Sequence, residues 1–399
     1  MNPRLNALQS YPFEKLRQLL AGAGTPPSGL GPINLSIGEP KHDTPQRVAQ
    51  AMAQALPGGL AAYPPTKGEP RLREVISQWI GKRYGIPQLD PDTQVLPVLG
   101  SREALFSFTQ TVIDPDADDI VICPNPFYQI YEGAALLAGA TPYYVNADAS
   151  RNFAPDWSQV PEDIWRRTRL VLVCSPGNPA GNVMSLEDWR ELFALSDRYG
   201  FIIGSDECYS EIYLNETTPP LGALQAAVQL DRPDFQRLIT FSSLSKRSNV
   251  PGMRSGFVAG DAALIAPYLL YRTYHGSAMS PVVAAASIAA WTDETHVRDN
   301  RRLYREKFDA VVPILQRAVN FTRPAASFYL WLPTPGSDTD FARDLYAQCA
   351  VTVLPGSYLG REAHGVNPGA GRVRLALVAP LAQCVDAANR IAEFVKKSA

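Results

Sequence analysis

Cysteine, histidine and net charge are all scarce in this 399-residue chain, and each scarcity removes a class of function. The five cysteines, Cys123, Cys174, Cys208, Cys349 and Cys384, stand singly, are odd in number and form no CxxC pair. That pattern fits neither a disulfide framework nor a zinc site. The four histidines, His42, His275, His296 and His364, lie far apart and make no local ligand motif, so no metal is expected. A net charge of −2 gives no bulk electrostatic reason to bind nucleic acid. Apolar runs never approach the ~18 residues a membrane span needs. The opening MNPRLNALQSYPFEKLRQLLAGAG has no continuous apolar core and does not read as a signal peptide. The expectation is a cytoplasmic protein with no nucleic-acid or membrane partner.

What is present is ordinary globular material, 46% hydrophobic and 19% charged. The length is enough for a large core and suggests two domains. Residues 1–45 are mixed: a short amphipathic helix, a Gly/Pro-rich stretch, then INLSIGEPKH. From Gln46 strands and helices alternate. Strands are expected in TQVLPVLGS (Thr93–Ser101), DIVICP (Asp119–Pro124), TPYYVNA (Thr141–Ala147), RLVLVC, FIIGSDE (Phe201–Glu207), LITFSSLS and RSGFVAG. SLEDWRELFALSDRYG carries a Ser N-cap, helical apolar spacing and a Gly stop. The expected fold is α/β, with a mostly parallel sheet sandwiched by helices. After about Ala278 the pattern changes. Pro281 to Val319 reads as one long or broken helix bridging to a smaller α+β unit. The expected division is 1–45 packing back on the small domain, 46–285 as the large domain and 286–399 as the small one.

Polar residues collect at the strand ends, where α/β proteins place their chemistry. Ser101 in GSRE starts a helix after a strand; it is either a plain N-cap or part of a phosphate cradle. Asn178 in SPGNPAG is a turn-former or a ligand. Asp206 and Glu207 end an apolar strand, where a bare carboxylate is costly unless paired or used. FSSLSKRSNVPGMRSG is too rich in hydroxyls, Gly and Pro for an ordinary helix face. It places Lys246 after a buried strand, where lost hydration makes an amine more nucleophilic. Ser243, Ser245, Arg254 and the helix start at Ser101 together make an anion cup. A phosphate cup, a reactive lysine and a carboxylate for a ring nitrogen are the three needs of pyridoxal phosphate. Arg372 and Arg374 are two apart on a strand and share a face, so either suits a substrate carboxylate.

Across essentially its full length the chain resembles the fold-type I pyridoxal-phosphate aminotransferases of class I/II, the aspartate-aminotransferase-like fold. The stretches that carry the likeness are YPPTKGEPRLR, GSREAL, NPFYQIY, SPGNPAG, SDECY, SSLSKRSNVPGMRSG and RVRLAL. The resemblance implies that Lys246 holds the cofactor aldehyde covalently and, once freed, moves the substrate Cα proton. It implies that Asp206 keeps the pyridine nitrogen protonated, and that Asn178 and Tyr209 bond the ring's phenolic oxygen. Tyr128 stacks on the ring; Ser101, Arg102, Ser243 and Arg254 hold the phosphate. Tyr63 reaches that phosphate from a neighbouring subunit, which implies a homodimer with shared sites. Arg374, Asn178 and the Gly38 backbone take the substrate carboxylate, and Arg247 is a local structural or surface charge. IGEPKH and the opening segment look like the bacterial N-succinyldiaminopimelate aminotransferases of lysine biosynthesis, with 2-oxoglutarate as the amino acceptor in a ping-pong cycle. Lys41, His42 and Lys67 are then candidates for the distal end of an anionic substrate. Alternatives are another amino donor, such as aspartate or an aromatic amino acid, a carbon–sulfur lyase on the same scaffold, and, weakest, a non-catalytic cofactor-binding sensor.

Overall fold

The computed structural model describes residues 1–398. Its strands are β1 (Ile33–Asn34), β2 (Val95–Val98), β3 (Ile120–Asn125), β4 (Thr141–Asp148), β5 (Ala154–Pro155), β6 (Thr168–Cys174), β7 (Ile202–Asp206), β8 (Leu238–Ser243), β9 (Gly256–Gly260), β10 (Tyr329–Pro333), β11 (Val351–Thr352), β12 (Leu354–Pro355) and β13 (Arg372–Ala376). The largest sheet has the order β2-β9-β8-β7-β6-β3-β4-β5. Its centre, β8 through β4, is parallel. β9 runs antiparallel to both β2 and β8, and β5 antiparallel to β4. The fold is thus α/β with a mixed, mostly parallel sheet between helical layers.

Parallel neighbours need a crossover, and the helix Leu186–Tyr199 supplies the one between β6 and β7. Ser185 and Asp188 form a reciprocal capping box at its start, and Gly200 ends it at φ 81°. Helices on both faces bury β8 at every position. Separate apolar clusters fill the two sides of the sheet, one around Trp79, Trp189 and Ile203, the other around Phe108, Tyr131 and Phe241.

The stretch from Pro281, expected as one long or broken helix, is the broken form: two helices, Pro281–Trp291 and Thr295–Leu315. The break falls at Asp293, whose carboxylate accepts the amides of Thr295 and His296 and starts the second helix. Lys246 is also on a helix, a single turn at Leu244–Arg247 capped by Ser243. Arg247 is no surface charge. It is 1% exposed, bonds the Glu294 carboxylate at 2.5 Å and lies against the rings of Trp79 and Trp291.

A second apolar core lies among Phe308, Leu330, Leu345 and Ile391. It is covered by an antiparallel sheet of order β10-β13-β12. The N-terminal segment joins it, because β1 pairs in parallel with β11. No helix among the described residues is long and apolar enough to cross a membrane.

The register decides where the chemistry can sit. Cys174 at the end of β6 lies opposite Asp206 at the end of β7, and Asp206 lies opposite Phe241 of β8. The loops carrying Asn178 and Lys246 therefore leave the sheet beside Asp206. A bidentate ion pair closes this edge: Arg361 bonds both oxygens of Glu132 at 2.6 and 2.7 Å, with both side chains buried. Asn125 exchanges two hydrogen bonds with the Arg361 main chain. Removing one member leaves a buried charge without a partner. Glu132→Ala should therefore lower unfolding free energy by about 3–5 kcal/mol in urea titrations. Glu187→Ala, which breaks the exposed pair with Arg190, should change it by less than about 1 kcal/mol.

Candidate active site

One cavity of about 520 Å³ lies between the carboxyl ends of β6 to β8 and the smaller sheet. It gathers Gly38, Ser101, Arg102, Tyr128, Asn178, Asp206, Tyr209, Ser243, Lys246, Arg254 and Arg374 from segments hundreds of residues apart. Of the residues that the resemblance assigns to the cofactor and the substrate carboxylate, Tyr63 alone stands outside this cavity, fully exposed at 102%. The three distal-end candidates do not line it either. His42 bonds Asn300 and Lys307, Lys67 pairs with Asp92, and Lys41 is exposed.

Lys246 donates from Nζ to the carbonyl of Gly38 at 3.0 Å. Burial pushes its pKa down; the neighbouring Cys208 opposes this and the Arg254 charge adds to it. A lysine held this way is a better nucleophile than one in water. Asp206 accepts from the Tyr131 hydroxyl at 2.8 Å and from the Cys208 amide at 3.2 Å. Burial pushes its carboxyl up, while those donors favour the ionised form.

Arg374 lies 3% exposed and donates to Asn178 Oδ1 at 2.8 Å and to the Ser36 carbonyl at 2.9 Å. Its Nε is buried without a partner. Because Asn178 Oδ1 takes Arg374, the Asn178 amide nitrogen is left to donate into the cavity. Arg372, its alternative, is outside the cavity wall and lies against the ring of Phe153.

Hydroxyls and guanidinium groups gather at the other end. Ser101 begins the helix Ser101–Val112, whose N-cap, Gly100, makes no side-chain cap bond. The first amides of that helix are therefore free for an anion. Gly100 sits at φ 85°, and a Cβ there would fall 2.3 Å from Arg254 Nη2. The backbone conformation favours glycine, and its missing side chain leaves the space that the arginine's guanidinium occupies. Ser243 and Ser245 bond each other at 2.9 Å, and Arg102 bonds the Tyr128 hydroxyl at 2.5 Å.

Sequence reasoning missed Tyr11, Tyr131, Tyr329, Cys174 and Cys208, of which all but Tyr131 line the cavity. Tyr131 was reachable: it lies three residues after Tyr128, in the first turn of the helix Ile130–Ala138 that follows it. Tyr11 and Tyr329 carried no local signal, since only the tertiary fold brings them in.

The model of the family "aminotransferase class I and II" matches residues 31–391. The chain belongs to that family. An LL-diaminopimelate aminotransferase from Desulforudis audaxviator (strain MP104C) is 31% identical over 97% of this chain and 96% of its own length. A crystal structure of an aminotransferase from Neisseria meningitidis Z2491 superposes with a TM-score of 0.96 at 54% identity, covering 99% of this chain and 100% of that one. A Thermus thermophilus structure named "probable N-succinyldiaminopimelate aminotransferase" gives 0.83 at 26% identity, over 96% and 99%. The chain is accordingly a transaminase that depends on pyridoxal 5'-phosphate. The donor set fits that group: an anion cup, a half-buried amine, a buried carboxylate and an arginine with an unmet donor.

Glu207 shows how the wall is braced. Its carboxylate accepts from Tyr84, Ser205 and the Ala223 amide at 2.7–3.1 Å. Burial nevertheless raises its pKa to about 7. The folded value exceeds the ordinary glutamate value of 4.5, so the folded chain holds the proton more tightly. That stability is full below about pH 4.5 and is lost as pH rises through about 7, on the order of 3 kcal/mol in all. Glu207→Gln should flatten this slope when urea midpoints of variant and wild type are compared across that window at equal cofactor saturation.

Proposed function

We propose that the cavity runs a ping-pong transamination in which Lys246 is both the covalent anchor of the cofactor and the base for substrate Cα. The observation that carries this is the convergence of Lys246, Asp206 and Arg374 on one cavity. When bound, pyridoxal phosphate supplies an aldehyde that takes an amino group and a ring that accepts the electron pair left on Cα. Lys246 gives the amine for attachment and, when released, carries the Cα proton. Asp206 holds a proton on the pyridine nitrogen. Tyr209 and the amide nitrogen of Asn178 donate to the phenolic oxygen, and Tyr128 covers the ring face. Ser101, Arg102, Ser243 and Arg254 bind the phosphate. Arg374 takes the α-carboxylate of the substrate with its planar fork, the unmet Nε included, beside the Gly38 backbone.

The amino donor in this reading is N-succinyl-LL-2,6-diaminopimelate and the acceptor is 2-oxoglutarate. The name of the Thermus protein supports it. A second reading, free LL-2,6-diaminopimelate as the donor, is supported by the name of the Desulforudis relative. The active unit is a homodimer. Support for this comes from Tyr63, which is bare in one chain, and from exposed Leu56 and Leu60 close to it in sequence. Such side chains suit a surface covered by a second copy.

Two measurements test this. Lys246→Ala should lose turnover by more than about 10²-fold and should no longer be tagged when borohydride is added to the loaded protein. In the wild type, adding the correct amino donor without a keto acid should replace the visible absorbance by a near-ultraviolet band, and 2-oxoglutarate should restore it. Response to the N-succinyl compound alone supports the first donor; response to the free diamino acid alone supports the second. Response only to aspartate or an aromatic amino acid removes both, and release of pyruvate and ammonia indicates a lyase.

A further inference from the structure

Tyr329, on β10 of the smaller sheet, enters the cavity wall at a point where three functional groups meet. Its hydroxyl lies 2.9 Å from the hydroxyl of Tyr209. Its ring centroid lies 4.3 Å from the guanidinium carbon of Arg374. Gly38 packs against its hydroxyl so tightly that a Cβ at position 38 would fall 2.0 Å away. The side chain is 2% exposed.

Burial pushes both phenols upward, Tyr209 well above the ordinary tyrosine value, so both keep their protons at neutral pH. Two protons then serve one bridge. Tyr209 is the only hydrogen-bond partner of the Tyr329 hydroxyl among the described residues, and Gly38 closes its other side. With Tyr329 as the donor, the Tyr209 proton is left for the cavity, and the bond it receives polarises it into a stronger donor. The ring acts on a different neighbour. A guanidinium over an aromatic face is held in place by the ring quadrupole, more strongly when water is excluded.

We propose that Tyr329 is a positioning residue for both halves of the reacting complex. Its hydroxyl aims Tyr209 at the cofactor's phenolic oxygen, and its ring seats the Arg374 fork for the substrate carboxylate. The inference rests on the roles of Tyr209 and Arg374 given under Proposed function.

The test uses the loaded enzyme and two substitutions that divide the side chain. Tyr329→Phe removes the hydroxyl and keeps the ring. A weaker Tyr209 donor stabilises the deprotonated form of the lysine-bound cofactor less. The midpoint of the visible absorbance titration should therefore rise by about half to one pH unit. Binding of glutarate, a dicarboxylate that cannot react, should stay unchanged. Tyr329→Leu removes both features. It should move the midpoint similarly and weaken glutarate about 5- to 30-fold. Tyr209→Phe is the control. If it moves the midpoint and Tyr329→Phe does not, the hydroxyl half of the proposal is overturned. Unchanged glutarate affinity in Tyr329→Leu overturns the ring half, provided Arg374→Lys weakens glutarate. If Tyr209→Phe and Arg374→Lys are both silent, the underlying roles fail instead. Should the leucine variant not fold, Tyr329→Trp, which keeps a ring and lacks the hydroxyl, takes its place. It should move the midpoint and keep glutarate affinity; a result matching wild type in both overturns the proposal.

Discussion

The site depends on charges that water scarcely reaches and that the protein stabilises with dipoles instead of counter-ions. Lys246 rests on the Gly38 carbonyl, and Asp206 on the Tyr131 hydroxyl and the Cys208 amide. Arg374 rests on the Asn178 side chain, the Ser36 carbonyl and the face of Tyr329. None of the three has an ion pair among the described residues. Elsewhere buried arginines are neutralised directly: Arg247 by Glu294, Arg83 by Glu211, Arg361 by Glu132. Buried charge without an opposite charge is expensive. Here it leaves the field in the cavity available to a ligand, and the structural pairs around it supply the rigidity that holds it in place.

The Lys246 main chain is gripped as firmly as its side chain. Asn300, on the helix Thr295–Leu315, donates to the carbonyls of Lys246 and Arg247. Its oxygen accepts from Asn249 and bonds His42, which in turn meets Lys307. The loop after Gly38, the lysine turn and the helix beyond the break at Asp293 thus share one hydrogen-bond network. His42, considered at first for the distal substrate, is spent in that network.

Much of this was legible in the chain before folding. Strand ends announced themselves because an apolar run that stops at Asp206, or at three serines and a lysine, has few physical readings. The helix Leu186–Tyr199 was legible from its cap and its glycine. The remainder was hidden for identifiable reasons. One helical turn at Lys246 is too short to show a period. The burial of Arg247 depends on two tryptophans far away in sequence. Tyr11 and Tyr329 reach the cavity only because the N-terminal segment crosses to the smaller sheet and β10 of that sheet meets Tyr209. Local pattern identifies residues that the sheet presents, and is silent about residues that arrive from another layer.

Gly38 has an evolutionary consequence. With Tyr329 pressed on one side and Lys246 bonded to its carbonyl, position 38 tolerates no side chain. The cavity wall at Gly38 therefore has a fixed width across any descendants that keep this arrangement. Ile37 and Glu39, on either side, and Tyr11 and Phe13 also line the cavity, yet none of the four is fully buried. Divergence in what the protein accepts can proceed through those four while the chemistry behind Gly38 stays as it is.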